Sequence, residues 1–282
     1  MKLNFTLMLA FLFCFNISEA QQKIGLTENG KRPKSVPSKQ SLLQTSTPRP
    51  PMSNGRPDKC GFAMMMEEAK ANGFDNAAYE AALKPLIQRR LALNQGAFTG
   101  TVTLPVIFHV LFRNTDSTNQ AAGTAYLSAT QINAQIAQLN KDYANLSSSS
   151  WPSVAANVRI QFCAALVDTA GRVLAQPGIH RVNTQTKGWA NPNTQASPSA
   201  FQTLLNGTIK PNTIWDPYSF FNVWTCGMDA SGLLGFSTFP SFSTLPGLDN
   251  GETSLTAGTV VSWQSVGSVT TPGTDPDYGF GR

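Results

Sequence analysis

Twelve residues, Thr101 to Phe112, read TVTLPVIFHVLF and leave little choice about their surroundings. A nearly continuous apolar run of this length, bounded by Gly100 and Asn114, reads as a strand buried on both faces. Such a strand sits at the centre of a parallel sheet, so the rest of the chain must supply neighbours on both edges and cover above and below. Pro105 is a caution, because proline cannot donate to a ladder and is confined to strand starts or edges. His109, inside the run, reads as a hydrogen-bonded core residue rather than a ligand.

The neighbours are visible downstream. Ser128 with Gln131 forms a capping box, and Ile132, Ile136, Leu139 and Tyr143 follow at helical spacing, which predicts an amphipathic helix over 128–145. Residues 159–168 read as a second strand with a turn at Ala170-Gly171, and residues 178–182 as a short extended piece that places His180 at a surface or interface. Residues 187–212 are loop-rich, with one helical turn at 200–205. FFNVWTC (220–226) is a third, buried strand. In LGFSTFP (234–240), Leu234, Phe236 and Thr238 alternate against Gly235, Ser237 and Phe239 up to Pro240, the pattern of a half-exposed edge strand. GTVVSWQSV (258–266) is a fifth. The expectation is an α+β fold: a twisted, five-stranded mixed sheet with an antiparallel edge strand and flanking helices.

The amino-terminal third has a different character. Residues 1–20 carry Lys2, the apolar run LMLAFLFCF (7–15) and the small-residue site Ser18-Glu19-Ala20, which together read as an export signal too short to span a bilayer. Residues 21–59 are rich in Pro, Ser, Lys and Arg and poor in large apolar residues, a composition expected to stay disordered. Helix-like segments follow at 62–70 and 76–93, with Pro85 as an expected kink. The formal charge is +5, but residues 21–98 hold twelve Lys and Arg against six Asp and Glu, while residues 99–282 hold eight against nine. The folded part therefore lacks the basic excess that phosphate contacts require, and a nucleic-acid partner is not expected.

Cys60, Cys163 and Cys226 remain once the signal is set aside. Cys163 and Cys226 fall in predicted strands and either pair as a disulfide or stay as two buried thiols. Cys60 lies outside the expected core, next to Lys59 and Gly61.

VTLPVIFHVLF (102–112), SATQINAQIAQLNKDYAN (128–145), VRIQFCAALVDTAGRV (158–173), GIHRV (178–182), the NVW of 222–224, LGFSTFP (234–240) and YGFGR (278–282) occur in an order and spacing that resembles the pappalysin family, the ulilysin- and cytophagalysin-like secreted zinc metallopeptidases of the metzincin clan. The likeness covers 60–282. It implies the zincin-like upper subdomain of a secreted endopeptidase that hydrolyses peptide bonds by a zinc-activated water, with zinc as cofactor and calcium as a second ion for which no ligand cluster is seen. It also implies a division into signal (1–20), pro-segment (21–98, with the basic pair Arg89-Arg90 near its end) and upper subdomain (99–282). Lys59-Cys60-Gly61 resembles the family's cysteine switch, whose thiolate holds the catalytic zinc in the zymogen. Gly235, Phe236, Ser237, Thr238 and Phe239 correspond to the strand along which a protein or peptide substrate lies.

The motif that would carry the chemistry, His-Glu-x-x-His, is not in the sequence: the only histidines are His109 and His180. No catalytic residue is assigned to this chain, and the resemblance implies a front part that stops short of the zinc-binding helix. Without that helix, apolar strand surface is expected to be exposed. The alternative is a secreted non-enzymatic binding protein or an inactive truncated homologue. No expectation arises for oligomeric state or cleavage preference.

Overall fold

The central run does become the central strand. The computed structural model describes residues 60–61, 66–67, 70–71, 73, 75–92, 100–118, 124–147, 155–237 and 253–281, all within the unit Lys59–Arg282. The expected signal and leader (1–59), Gly96, and Thr238, Phe239 and Pro240 lie outside the described residues. The elements in order are α1 (Asn76–Ala92), β1 (Val102–Phe112), α2 (Asn114–Thr118), α3 (Ala129–Tyr143), β2 (Ile160–Ala164), β3 (Ile179–Asn183), α4 (Pro198–Leu204), β4 (Phe221–Cys226), β5 (Gly235–Ser237) and β6 (Thr259–Ser262). No helix among the described residues is long and apolar enough to cross a membrane.

The sheet has six strands rather than the five expected, in the order β2-β1-β4-β6-β5 with β3 also on β1. The additional strand is β3, the short piece around His180. It pairs in parallel with the second half of β1, from Phe108↔Ile179 to Phe112↔Asn183, beyond the β2 pairing at Val102–Val106. On its other edge β1 pairs in parallel with β4, starting at Val106↔Phe221. Pro105 therefore has a strand neighbour, β2, on one side only, and its missing N–H falls on the other side, where β4 pairing has not yet begun. β6 continues the parallel set, and β5 closes it antiparallel.

Alternation along β1 builds two cores. Val106, Phe108 and Val110 face Ile132 and Ile136 of α3, with Phe162, Val223 and Val266. Leu111 faces the opposite way, toward Phe201, Leu205, Ile209, Trp224 and Phe236. Burying each such side chain contributes roughly 2 kcal/mol. α3 begins as its sequence indicates, with the Ser128 hydroxyl accepting from the Gln131 amide at 3.2 Å. α1 runs through Pro85 and leaves Leu86 and Ile87 exposed. Among the described residues the expected exposure of sheet surface is confined to Val102 at the start of β1; no residue of β4, β5 or β6 is among the exposed large hydrophobic side chains. Residues after β6 fold back instead, burying Val266 completely and docking on α3. There the Gln135 side chain accepts from Gly267 N and donates to Gly281 O, both at 3.0 Å.

At the middle of β1, His109 is wholly buried. Its Nε2 lies 2.8 Å from Asn222 Oδ1 on β4, and its Nδ1 lies 2.9 Å from His180 Nδ1 on β3. Asn222 also accepts from Trp215 N at 3.0 Å and donates to Trp215 O at 2.9 Å, which fixes its Oδ1 as the acceptor. The His109 Nε2 must then carry a proton, its Nδ1 must be the acceptor, and His180 must donate through Nδ1. The ring stacks on Trp224, centroids 5.0 Å apart. Burial pushes the His109 pKa down to about 3, with Asn222 opposing and His180 assisting. Burial also lowers that of His180, helped by Lys187.

A native His109 that stays neutral while the unfolded chain binds a proton makes the fold acid-sensitive. This contribution is fully present above the unfolded pKa of 6.5 and is lost progressively as pH falls toward about 3. Between pH 7 and 5, where carboxylates stay ionised, His109 alone should remove about 2 kcal/mol. Urea unfolding at both pH values reads this directly; a stability unchanged over that window would contradict the neutral, buried assignment.

Candidate functional site

β5 is three residues long and does two jobs. Phe236 turns inward, 3% exposed, with its ring edge-on to Phe201 at 6.1 Å. Its backbone faces β6, opposite Val260. Because Leu234 O accepts from Ser262 N at 2.7 Å, alternation turns the backbone groups of Gly235 and Ser237 away from β6, to the outer edge of the sheet. Ser237 is exposed, with its hydroxyl 3.1 Å from that of Thr259. The result is a short edge with outward-pointing main-chain donors and acceptors, the feature to which an extended peptide adds.

That outer edge is where Cys60 and Gly61 lie. Cys60 forms a parallel bridge with Gly235, and Gly61 N donates to Gly235 O at 2.9 Å. Cys60 is exposed and Gly61 buried. The contact requires glycine: a Cβ on residue 61 would sit 2.7 Å from Phe236 Cβ and 3.1 Å from Gly235 O, with backbone on one side and an anchored side chain on the other. Two stretches singled out from the sequence, some 175 residues apart, are thus hydrogen-bonded to one another. Of the proposed substrate strand, Gly235, Phe236 and Ser237 form β5, while Thr238 and Phe239 lie outside the described residues.

Behind the edge sits a residue the sequence did not single out. Lys210 is 0% exposed, its Nζ donating to Thr256 O at 2.9 Å and lying 4.9 Å from the Phe236 ring centre and 5.2 Å from that of Trp224. A lysine in a loop-rich stretch followed by proline reads as a solvated charge, and no periodicity marks it for burial. Its ammonium, held between two aromatic faces and a carbonyl, fastens β5 to the segment that returns into β6.

The disulfide between Cys163 and Cys226 is not formed. Cys163 is opposite Pro105 on one side of β1, whereas Cys226 follows Thr225, which is opposite Val110 on the other side. Two inter-strand spacings plus about 20 Å along the strands separate them, far beyond the roughly 7 Å that a bridge spans. Burial raises the pKa of the Cys226 thiol, keeping it protonated and inert. No group of three His, Cys, Asp or Glu side chains positioned to hold a metal occurs among the described residues. His109 has both ring nitrogens engaged. These residues do not fit a catalytic zinc, which needs three protein ligands and an open position.

The sequence matches no family model and no curated protein. Among solved structures, the fold is similar to a promirolysin mutant of Tannerella forsythia, with 22% identity and a TM-score of 0.50 over 79% of this chain and 64% of that one. Mirolysin in complex with a compound is matched at 26% identity and a TM-score of 0.44, over 65% and 59% of the two chains. Mature mirolysin of Tannerella forsythia with a cleaved peptide is matched at 24% and 0.43, over 65% and 60%. The promirolysin likeness is one of fold, a metallopeptidase-like one. The present chain spans about three fifths of the length of the structures it matches.

If Gly61 is required for close approach to β5, Gly61→Val should detach the Cys60 segment while leaving the sheet intact. Hydrogen exchange at the residue 61 amide should accelerate at least about tenfold relative to the parent chain, with protection in β1 and β4 unchanged. Equal protection in both proteins would remove the steric argument.

Proposed function

We propose that residues 1–20 direct export, that residues 21–98 are a pro-segment, and that residues 99–282 are the upper subdomain of a secreted zinc endopeptidase of pappalysin type, in the zincin-like manner of the metzincins. The observation that carries this reading is the hydrogen bond from Gly61 N to Gly235 O, which sets the switch-like Cys60-Gly61 against the edge strand expected to receive substrate. The fold likeness to promirolysin supports it independently of any single motif.

In this reading an extended peptide adds to β5 as the next strand, antiparallel to it and held by the outward main-chain groups of Gly235 and Ser237. Side-chain identity then matters little at Ser237, while Gly235 must stay small, because a Cβ there would lie 2.7 Å from Val260 O. The latent chain fills the same edge with Cys60-Gly61 running in the parallel sense, opposite to substrate. Zinc is the metal implied, and calcium a second ion. Because the described residues do not fit a catalytic zinc, no hydrolytic step is assigned to them. Cys60 is the one ligand this reading places in the chain, its thiolate serving as the inhibitory ligand of a zinc held by residues outside 1–282.

The test is the transcript beyond the Arg282 codon. An in-frame His-Glu-x-x-His followed by a third histidine is the expected result; a stop codon directly after Arg282 in expressed message would overturn the reading and leave a non-enzymatic binding protein. In the longer precursor, Cys60→Ala should raise the peptidase activity of the uncleaved form at least about tenfold. Latency unaffected by that substitution would remove Cys60 from the role.

A further inference from the structure

The two ends of the sheet are finished differently. At one end β5 turns the main-chain groups of Gly235 and Ser237 outward. At the other end β2 and β3 lie one after the other along the same side of β1. Two bonds fix the phase of the β1–β2 ladder: Val102 N donates to Arg159 O at 2.9 Å, and Ala165 N to Val106 O at 3.0 Å. By alternation Gln161 and Cys163 bond β1, while the N–H and C=O groups of Ile160, Phe162 and Ala164 point away from it. Outward groups of that kind are a template on which another chain can pair.

The middle one of these three residues is occupied by a helix side chain. Asn140 of α3 accepts from Phe162 N through Oδ1 at 2.7 Å and donates to Phe162 O through Nδ2 at 2.9 Å. One side-chain amide thus offers the strand an acceptor and a donor, as the peptide groups of an adjacent strand would. Tyr143, three residues on, holds the helix there. Its ring is edge-on to Phe162 at 4.9 Å, and its carbonyl accepts from Val158 N at 3.0 Å. The usual guards against edge pairing are missing from β2, whose IQFCA carries neither charge nor proline. The surrounding VRIQFCAALV (158–167) holds one charge, Arg159, and has the composition of a segment that pairs with its own kind. β3 is better protected. It has Arg181 at its centre, Ile179 N donates to Gln176 O at 3.1 Å, and Asn183 O accepts from Lys187 N at 3.3 Å. The vulnerable part of this edge is β2, and Asn140 stands on it.

We propose that Asn140 is an edge guard: its amide takes the place of a neighbouring strand at Phe162 and keeps the β2 strands of two copies of this chain from pairing. Occupying the middle of three outward residues suffices, because one outward residue on either side is too little ladder to hold a strand. With β2 closed, strand addition is directed to β5 at the far end of the sheet. The proposal does not rest on the peptidase reading.

The test compares Asn140→Leu with the parent 282-residue chain. Hydrogen exchange at the Phe162 amide should accelerate at least about fivefold, with the β4 amides unchanged. The mass by sedimentation equilibrium should rise with concentration to about twice the parent value, as for a symmetric pair of copies. Asn133→Leu adds the same apolar side chain at an exposed position of α3 and should do neither. Gln161→Lys added to Asn140→Leu puts a charge on the edge itself. It should restore the parent mass while Phe162 exchange stays fast, a combination that a merely structural asparagine would not produce. Asn140→Ala removes the same amide without apolar bulk and gives the same readings where the leucine variant does not fold. The proposal is overturned if the folded variants keep the parent mass or if Asn133→Leu associates equally. It is also overturned if loss of Asn140 abolishes folding in both variants, which would make the amide a requirement of the fold and not a guard.

Discussion

A histidine in the middle of a strand that is buried on both faces constrains everything around it. Neither ring nitrogen of His109 can reach water, and an unpaired polar group there would cost on the order of 1–3 kcal/mol. Each nitrogen therefore needs a partner on a neighbouring strand, and the fold supplies one from each side: His180 of β3 and Asn222 of β4. Satisfying Asn222 in turn requires the backbone of Trp215, which ties the loop before β4 down over the histidine pair. The result is a hydrogen-bonded crosspiece through three adjacent strands. It sets the register of β3 and β4 against β1 more sharply than apolar packing does, because sliding either strand by one residue would point its polar side chain to the opposite face.

That crosspiece also explains what was and was not legible beforehand. β1, α3 and β4 were readable because their apolar spacing is strong and uninterrupted, and Ser128 announces where α3 begins. Residues 178–182 read only as a short extended piece with His180 at a surface or interface, because five residues such as IHRVN carry too little apolar alternation to require a place beside the core. Its histidine belongs there only because His109 stands opposite, a pairing visible once the register is known. The Cys163–Cys226 bridge failed for the complementary reason. Both residues do lie in strands, but strand membership says nothing about which side of β1 each strand takes or how far along it.

The edge site shows the same division. The β5 residues and Cys60-Gly61 could each be marked by resemblance, yet nothing local shows that Gly61 will donate to Gly235. That contact depends on β5 being at the open end of the sheet and on Phe236 being drawn inward to leave room. Lys210 was missed altogether. A buried ammonium is expensive to place, and what offsets the cost here is the carbonyl of Thr256 and the faces of Trp224 and Phe236, three groups that come together only after β4, β5 and β6 are assembled.

A site built from main-chain groups places unusual demands on sequence. The outward donors and acceptors of Gly235 and Ser237 belong to the main chain, so the exposed Ser237 can vary, whereas Gly235 cannot: a Cβ there would lie 2.7 Å from Val260 O. The constraint falls on Gly235 and on the positions that aim the edge: Phe236, which anchors it, Lys210, which fastens it from behind, and Gly61, which must be small for its own segment to lie alongside.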